Sequence, residues 1–433
     1  VSRVFSCRAL RHPSLCACRP MSTKTNQPRF PAQDMTVFGS GEHKLSWSSK
    51  QQEGSKADFL WSDLPEPHAE RKKIIVDEFK EKVSSLNGPT WKTKYVVLFT
   101  VSLHLTFAYL LRDMAWTTWE FWLVSFNATV QCDGSCLVVG KRSVCLGPTC
   151  LLATVCTSFL MHVHLPFIFL ALQTSYVVGA TLTQNCFLAI HEITHNLAFK
   201  VSQKSRSKLL AIFANLPIGI PYSSKFPGYH MEHHRYQGVD GIDTDIPHPA
   251  EAWLFDNLGF FGRLFFAVFQ ILFYAIRPMA VRDQAVDFWF GLNFAIQFAF
   301  DGLVVYKFGM GPIWYLLMSA FFSGSLHPMA SHFVAEHYVF LEKVETYSYY
   351  GWLNLLTFNV GYHNEHHDFP YVAWDKLPLV REVAAKHYDN LPYHRSWPLV
   401  LWKFLTMDTM SSYSRVKRKD EKSLAKNTVC KPK

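Results

Sequence analysis

The chain has 433 residues, of which 49% are hydrophobic, and it carries a formal net charge of +9. This composition fits one large domain or a membrane body with polar faces. The basic excess does not indicate a nucleic-acid partner, because no nucleic-acid-binding motif accompanies it. The ten cysteines do not indicate a disulfide framework, because five of them fall in one unusual segment, residues 132–156. Within it, Cys132-x3-Cys136 resembles half of a zinc site, but no second pair follows at the spacing of a zinc finger.

Residues 1–56 form a distinct N-terminal extension. They contain no Asp or Glu before Asp34 and are rich in Arg, which is typical of an organelle transit peptide. Because the chain begins with valine, upstream translated sequence is the favoured interpretation, with Met21 or Met35 as the initiator. We expect this extension to be disordered or artefactual.

Long apolar segments follow and predict membrane-spanning helices. Residues 95–111 carry no formal charge, and residues 143–191 contain no Asp, Glu, Lys or Arg. Because about 20 apolar residues cross a bilayer as a helix, the second stretch has room for two spans, 150–170 and 171–190. Further candidate spans are residues 288–306 and 311–330.

Shorter apolar segments at residues 208–220 and 264–276 are typical of helices that lie at the membrane interface. Asp301 interrupts one candidate span, and we expect its carboxylate to face the helix bundle. Basic residues cluster before residue 95 and after residue 414, which places both ends of the chain on the cytosolic side. The sequence therefore predicts an all-α, polytopic membrane protein with about four transmembrane helices.

Three histidine clusters carry the chemistry. On a helix, residues three and four apart share a face, so each cluster presents its imidazoles to a common point. The three clusters hold two, three and three histidines, and these eight are too many for one zinc ion, which takes about four ligands. Imidazole suits iron as well as zinc. The pattern predicts a two-metal, all-histidine centre in a cytosolic cap. The clusters are His191-Glu-Ile-Thr-His195, His230-Met-Glu-His233-His234 and His363-Asn-Glu-His366-His367.

The first cluster taken alone also matches a zinc-protease helix, with Glu192 as the general base. A protease would need one further ligand and would have no use for two more clusters. A zinc-dependent intramembrane protease stays an alternative, and peptide turnover with one bound zinc would reveal it.

Local phrases around the clusters identify a family. The sequence resembles the membrane fatty-acid desaturase/hydroxylase superfamily, and within it the sphingolipid delta-4 desaturase branch. The phrases that carry this resemblance are residues 58–61 (DFLW), 67–71 (PHAER), 213–221 (FANLPIGIP), 229–238 (YHMEHHRYQG), 345–351 (ETYSYYG) and 361–370 (GYHNEHHDFP).

The resemblance covers about residues 57–419 and implies a division of the chain. It gives an N-terminal family segment (57–92), a membrane desaturase domain (93–410) and a basic cytosolic tail (411–433). Residues 124–170 interrupt the pattern and are interpreted as an insert or a retained intron. If 150–170 also crossed, three crossings would put His191 on the wrong side, so we expect the insert to be absent or held as a luminal loop or re-entrant hairpin.

The resemblance implies a di-iron enzyme that uses O2 and two electrons to introduce a trans double bond between carbons 4 and 5 of the sphinganine chain of dihydroceramide. The same oxidant could instead return a hydroxyl to C4, so C4-hydroxylation is the alternative activity. A catalytically inactive, lipid-binding membrane scaffold is a third hypothesis, which applies if the insert is real.

The resemblance also implies roles for residues beyond the eight histidines. Glu192, Glu232 and Glu365 are predicted to orient imidazoles. A ninth ligand is expected from residues 326–338, where His332 is preferred over His327, and His337 is the third candidate. The family usually has glycine in place of Ser331 and proline in place of Trp352.

The electrons must come from another protein. The chain lacks a Gly-x-Gly-x-x-Gly nucleotide motif and the His-Pro-Gly-Gly signature of a fused cytochrome b5 domain. Cytochrome b5 and its NADH-dependent reductase are therefore implied as partners. The resemblance also implies retention in the endoplasmic reticulum membrane.

Overall fold

The computed structural model describes residues 58–113, 136–139, 142–145, 169–282 and 286–419, and helices dominate this part of the chain. The all-α fold class predicted from the sequence is confirmed. The described α-helices are α1 (Pro67–Leu86), α2 (Lys92–Leu110), α3 (Ala180–Thr194), α4 (Lys204–Asn215), α5 (Phe226–Arg235), α6 (Pro249–Asn257), α7 (Gly259–Val281), α8 (Phe288–Phe308), α9 (Gly311–Ser323), α10 (His332–Ala335), α11 (His363–Asp368), α12 (Leu377–Val383), α13 (Ala385–Tyr388) and α14 (Trp397–Thr406).

The strands are short and pair two by two. Parallel pairing joins the first strand to the last and the fourth to the fifth, whereas the second and third are antiparallel. The strands are β1 (Leu60–Trp61), β2 (Cys136–Val139), β3 (Arg142–Cys145), β4 (Ser348–Tyr349), β5 (Tyr393–His394) and β6 (Val416–Lys417).

Three described helices, α2, α7 and α8, are long and apolar enough to cross a membrane. Helix α8 turns most of its surface outward, and its Phe288 and Tyr306 side chains are 72% and 80% exposed. Such large exposed apolar surface suits contact with lipid. Oδ1 of Asp301 accepts a hydrogen bond at 3.0 Å from Gln297 of the same helix, and the buried Gln297 in turn accepts one from Asn215 of another helix. The Asp301 carboxylate therefore lies on the side of α8 that faces the bundle.

Two predicted helix lengths are corrected. Residues 264–276 belong to the 23-residue helix α7 rather than to a short interfacial piece. The helix continues through Arg277 because the buried guanidinium is neutralised by Glu251 at 2.6 Å. Conversely, the apolar stretch 311–330 yields only the 13-residue helix α9, which is about 20 Å long and ends before Gly324.

Helix α3 continues a helical stretch that begins at residue 169 and includes a π-helical turn, Ser175–Gly179. This stretch covers the predicted span 171–190, whereas residues 150–168 lie outside the described part of the chain. A Cβ on Gly179 would lie 1.9 Å from Oγ of Ser319, so glycine permits the close approach of α9. His104 of α2 contacts the same stretch, because its Nε2 lies 3.1 Å from the carbonyl oxygen of Gly179 and 2.9 Å from Oγ1 of Thr183.

A polar cap encloses the ends of these helices. Helix α1 packs its Ile75 against Val380 and Tyr388 of the region after α11. Strand β1 pairs with β6, which joins the N-terminal segment to residues 411–419. The structure thus places residues 411–419 inside the cap, although the sequence predicted a separate tail beyond residue 410.

Candidate metal centre

Helix α3 delivers the first histidine cluster to the cap. The helix ends at Thr194, and the left-handed conformation of Asn196 (φ 61°) turns the chain away. His191 lies in the last turn and His195 at the C-cap, with ring centroids 5.2 Å apart. The rigid membrane-side helix therefore fixes both imidazoles.

Helix α5 divides its three histidines between two directions. Residues 230 and 234 are four apart and share a face, whereas His233 faces another way because each residue turns the helix by about 100°. Nε2 of His230 lies 2.8 Å from Nε2 of His195 and 3.0 Å from Nε2 of His234. Nε2 of His233 instead lies 3.0 Å from Nε2 of His337.

Helix α11 divides the third cluster in the same way. Nε2 of His366 lies 3.1 Å from Nε2 of His234. The ring of His367 stacks on that of His234 with centroids 4.2 Å apart, and it also faces His233. Nε2 of His363 lies 2.9 Å from Nε2 of His337.

The result is two neighbouring sets of imidazoles, in each of which the nitrogens available to a metal lie within 4.8 Å of one another. His363 adjoins the second set through His337. The structure thus brings the eight histidines of the three clusters together, and their division fits two metal ions; their role as ligands stays a prediction. The first histidine group is His191, His195, His230, His234 and His366, and the second histidine group is His233, His337 and His367.

The candidates for a ninth ligand lie in different places. His337 belongs to the second histidine group. His332 turns its Nδ1 to the carbonyl of Met329 at 2.7 Å, and His327 packs against the ring of Tyr176. The order of preference from the sequence, His332 and then His327, disagrees with this arrangement, which favours His337. The chain from 324 to 347 is mostly irregular, so helical spacing could not have identified it.

The donor set fits metal ions. Nε2 of His230 lies about 3 Å from two other Nε2 atoms, and one uncharged ring nitrogen cannot satisfy both as donor and acceptor. Nε2 of His367 is buried and has no hydrogen-bond partner among the described residues. Burial and neighbouring imidazoles lower the pKa of His234 and His366 well below the usual range, which keeps their nitrogens uncharged for a metal. All-imidazole coordination suits iron and zinc.

The three carboxylates predicted to orient imidazoles have other partners. Glu192 accepts a hydrogen bond from the backbone N–H of Trp374, and Glu232 pairs with Arg282. Glu365 accepts hydrogen bonds from the hydroxyls of Ser348 and Tyr350. All three lie inside the clusters in sequence, but their hydrogen-bond and ion-pair partners among the described residues are not imidazoles.

A different carboxylate touches the second histidine group. Oδ1 of Asp243 lies 3.0 Å from Nδ1 of His233. Burial alone would lower the pKa of His233, but the Asp243 carboxylate raises it. Asp243 also accepts hydrogen bonds from the backbone N–H groups of Gly238 and Asp245, which fix its position. The sequence offered no signal for this residue, since it lies in a loop without periodicity.

The described structure thus defines a helical membrane protein whose cap holds two adjoining, mostly buried histidine groups suited to metals. A family model described as "Fatty acid desaturase" matches residues 166–397, and one described as "Sphingolipid Delta4-desaturase (DES)" matches residues 55–92. The chain therefore belongs to the fatty acid desaturase family, in its sphingolipid delta4-desaturase branch, and the resemblance stated from the sequence is confirmed.

Curated relatives agree over most of the chain. A sphingolipid delta(4)-desaturase of Komagataella phaffii is 42% identical, and the alignment covers 85% of this chain and 90% of the relative. The sphingolipid delta(4)-desaturase DES1 of Bos taurus is 40% identical, with 84% and 96% covered. The human sphingolipid delta(4)-desaturase/C4-monooxygenase DES2 is 38% identical, with the same coverage. No solved structure matches the chain.

Proposed function

We propose that this chain desaturates dihydroceramide to ceramide by introducing a trans double bond between C4 and C5 of the sphingoid base. One hydrogen leaves each carbon, and O2, two electrons and two protons complete the conversion to two molecules of water. The observation that carries this proposal is the meeting of three histidine clusters in two adjoining groups, within a chain of the sphingolipid branch.

Two iron ions are the proposed cofactors. The first histidine group would hold one and the second histidine group, with His363 beside it, the other. When bound, the iron pair supplies the redox chemistry with O2, while the protein supplies ligands, orientation and a dry site.

The chain's own residues favour a lipid substrate. Aromatic side chains lead from α3 toward the first histidine group: Phe187 packs on Tyr222, Tyr222 on Phe226, and Phe226 stacks on the ring of His230 at 4.9 Å. We assign this apolar wall to the sphingoid chain. It would place C4 and C5 beside the imidazoles and exclude water.

The reducing partners and location follow from the same proposal. Cytochrome b5 and its NADH-dependent reductase would deliver electrons to a cap on the cytosolic face of the endoplasmic reticulum membrane. The basic residues flanking the first span support this orientation.

C4-hydroxylation is the second candidate, and one observation favours it. The name of the human relative includes a C4-monooxygenase activity beside the desaturase. Both outcomes begin with the loss of hydrogen from the same region of the substrate, so a small difference in placement could divide them.

Mass spectrometry of ceramides in a yeast without its own sphingolipid desaturase tests the proposal. We expect 4,5-unsaturated sphingoid bases from the chain and none from the His366→Ala variant.

A chain lacking residues 124–170 tests the proposed insert: product only after the deletion would show that the insert blocks activity. If 4-hydroxylated bases are the sole product, C4-hydroxylation replaces desaturation as the function. Lipid binding without either product or iron would favour the scaffold.

A further inference from the structure

A fourth element, helix α1, reaches the second histidine group through His68. The ring of His68 is 5% exposed and packs on the ring of His367, with centroids 4.7 Å apart. Its Nε2 lies 3.2 Å from Oγ1 of Thr346, and that oxygen lies 3.4 Å from Nδ1 of His337. His68 therefore touches one member of the group directly and a second through one hydroxyl.

The other side of His68 rests on a fully buried carboxylate. Nδ1 of His68 lies 2.8 Å from Oδ1 of Asp368. Arg71 donates to both oxygens of Asp368, at 2.6 and 2.9 Å, and the hydroxyl of Tyr388 donates at 2.8 Å. With three other donors on it, Asp368 is a fixed point for the imidazole.

The hydrogen-bond directions follow from the donors available. Nη2 of Arg71 also lies 2.7 Å from Nδ1 of His68, but its two hydrogens go to Asp368 and Asn364. An ionised carboxylate only accepts, so Nδ1 of His68 donates to Asp368 and its Nε2 accepts from the Thr346 hydroxyl.

The hydroxyl oxygen of Thr346 then accepts from its remaining neighbours. Gln237 donates at 3.2 Å, and Nδ1 of His337 donates at 3.4 Å. The lone pair of His337 is left on Nε2, which faces His233 at 3.0 Å. The backbone carbonyl of Glu345, 3.3 Å from the same Nδ1, is a second acceptor for that proton. The Thr346 hydroxyl and this carbonyl together select the tautomer in which His337 can bind a metal.

We infer that His68 and Thr346 are positioning residues of the second histidine group: His68 fixes the ring of His367, and Thr346, together with the carbonyl of Glu345, fixes the tautomer of His337. Helix α1, which lies within the segment matched by the sphingolipid family model, is then a structural part of the metal centre. This inference rests on the two-metal site of the proposed function.

Iron binding by the purified full chain tests the inference with matched variants. Thr346→Val removes the hydroxyl and keeps the shape, whereas Thr346→Ser keeps the hydroxyl. His68→Phe keeps a ring against His367 but loses both nitrogens. The control is His387→Phe, because His387 also pairs with a carboxylate, Glu78 at 2.9 Å, and packs on Phe79 rather than on a ring of either histidine group.

We expect elemental analysis to give two irons per chain for the unaltered protein, Thr346→Ser and His387→Phe. In Thr346→Val and His68→Phe, chelator competition should show one of the two irons bound about 10- to 100-fold more weakly. Mössbauer spectra of 57Fe should change for that iron alone.

Three results would overturn the inference. One is wild-type iron affinity and spectra in both Thr346→Val and His68→Phe. Another is an equal loss in Thr346→Ser, because the hydroxyl would not then be the cause. Fewer than two metals in the unaltered chain would instead remove the two-metal site itself, and the inference with it.

Discussion

The two histidine groups differ in what holds their rings. The first histidine group depends on helix ends and on ring packing, such as the stack of His230 on Phe226. The second histidine group lies among hydrogen-bonded carboxylates, with Asp243 on His233 and Asp368 reached through His68. Helices carry rings of both groups, but the hydrogen-bonded carboxylates contact only members of the second group or the residues beside it in the contacts described above. Changes outside the clusters should therefore affect the two groups unequally.

The largest effect should follow loss of an imidazole from the first histidine group. His366→Ala removes a ring that approaches both His234 and His195. Since even partners of metal ligands matter about 10- to 100-fold, we expect at least about a 100-fold fall in ceramide formation. Product analysis in microsomes measures it, with His387→Ala as the control. Near-normal turnover would contradict the role of this group.

Stability should fall most when the polar network loses Arg71. Arg71→Met leaves Asp368 buried without its cation, and breaking a buried ion pair costs about 3–5 kcal/mol. Unfolding of the purified protein in detergent by denaturant measures the change. The matched control is Lys386→Met, which removes a solvent-exposed pair with Glu78 and should leave the free energy of unfolding nearly unchanged. Equal losses in the two variants would contradict the distinction between the buried and exposed pairs.

A smaller and more local effect is expected at Asp243. Asp243→Asn keeps the shape but removes the charge opposite His233, so we expect about 10- to 100-fold weaker binding of one metal. The metal of the first histidine group should stay bound. Chelator titration followed by elemental analysis distinguishes the two, and parallel loss of both metals would show that the groups are not independently held.

The smallest effect should come from Glu232, which lies inside a histidine cluster but outside both groups. Its partner is Arg282 at 2.9 Å, in a partly exposed pair. Glu232→Gln should therefore change stability by at most about 1 kcal/mol and leave both metals bound. Loss of a metal in this variant would restore the role that the sequence predicted for this carboxylate.

The histidine clusters could be predicted because their spacing is itself the signal. Which histidines share a group could not be predicted from that spacing. Neighbours such as His233 and His234 diverge on a helix, but only the tertiary arrangement decides which third element each one meets. His337 and Asp243 come from irregular segments, where no periodicity marks a side chain's direction. His68 lies in the PHAER phrase that supported the family, yet that phrase said nothing about what its imidazole contacts.

The sequence prediction was less accurate where charged residues lie in apolar or basic stretches, because their partners are not visible in the local sequence. Arg277 did not end α7, since Glu251 is supplied by another helix. Arg415 and Lys417 lie in the segment predicted as a basic cytosolic tail, yet they are buried and pair with Asp245 and Asp240. A charge is compatible with burial when its partner is present, and the partner here is distant in sequence.

The parallel pairing of β1 with β6 also has a consequence for biosynthesis. Residues near the two ends of the described fold, Leu60 and Val416, must meet before the cap closes. A ribosome releases the N-terminal part first, so helix α1 waits for almost the whole chain before its final contacts can form. Any metal held by the second histidine group should accordingly be enclosed only after translation, because His68 cannot pack on His367 before helix α1 has made its final contacts.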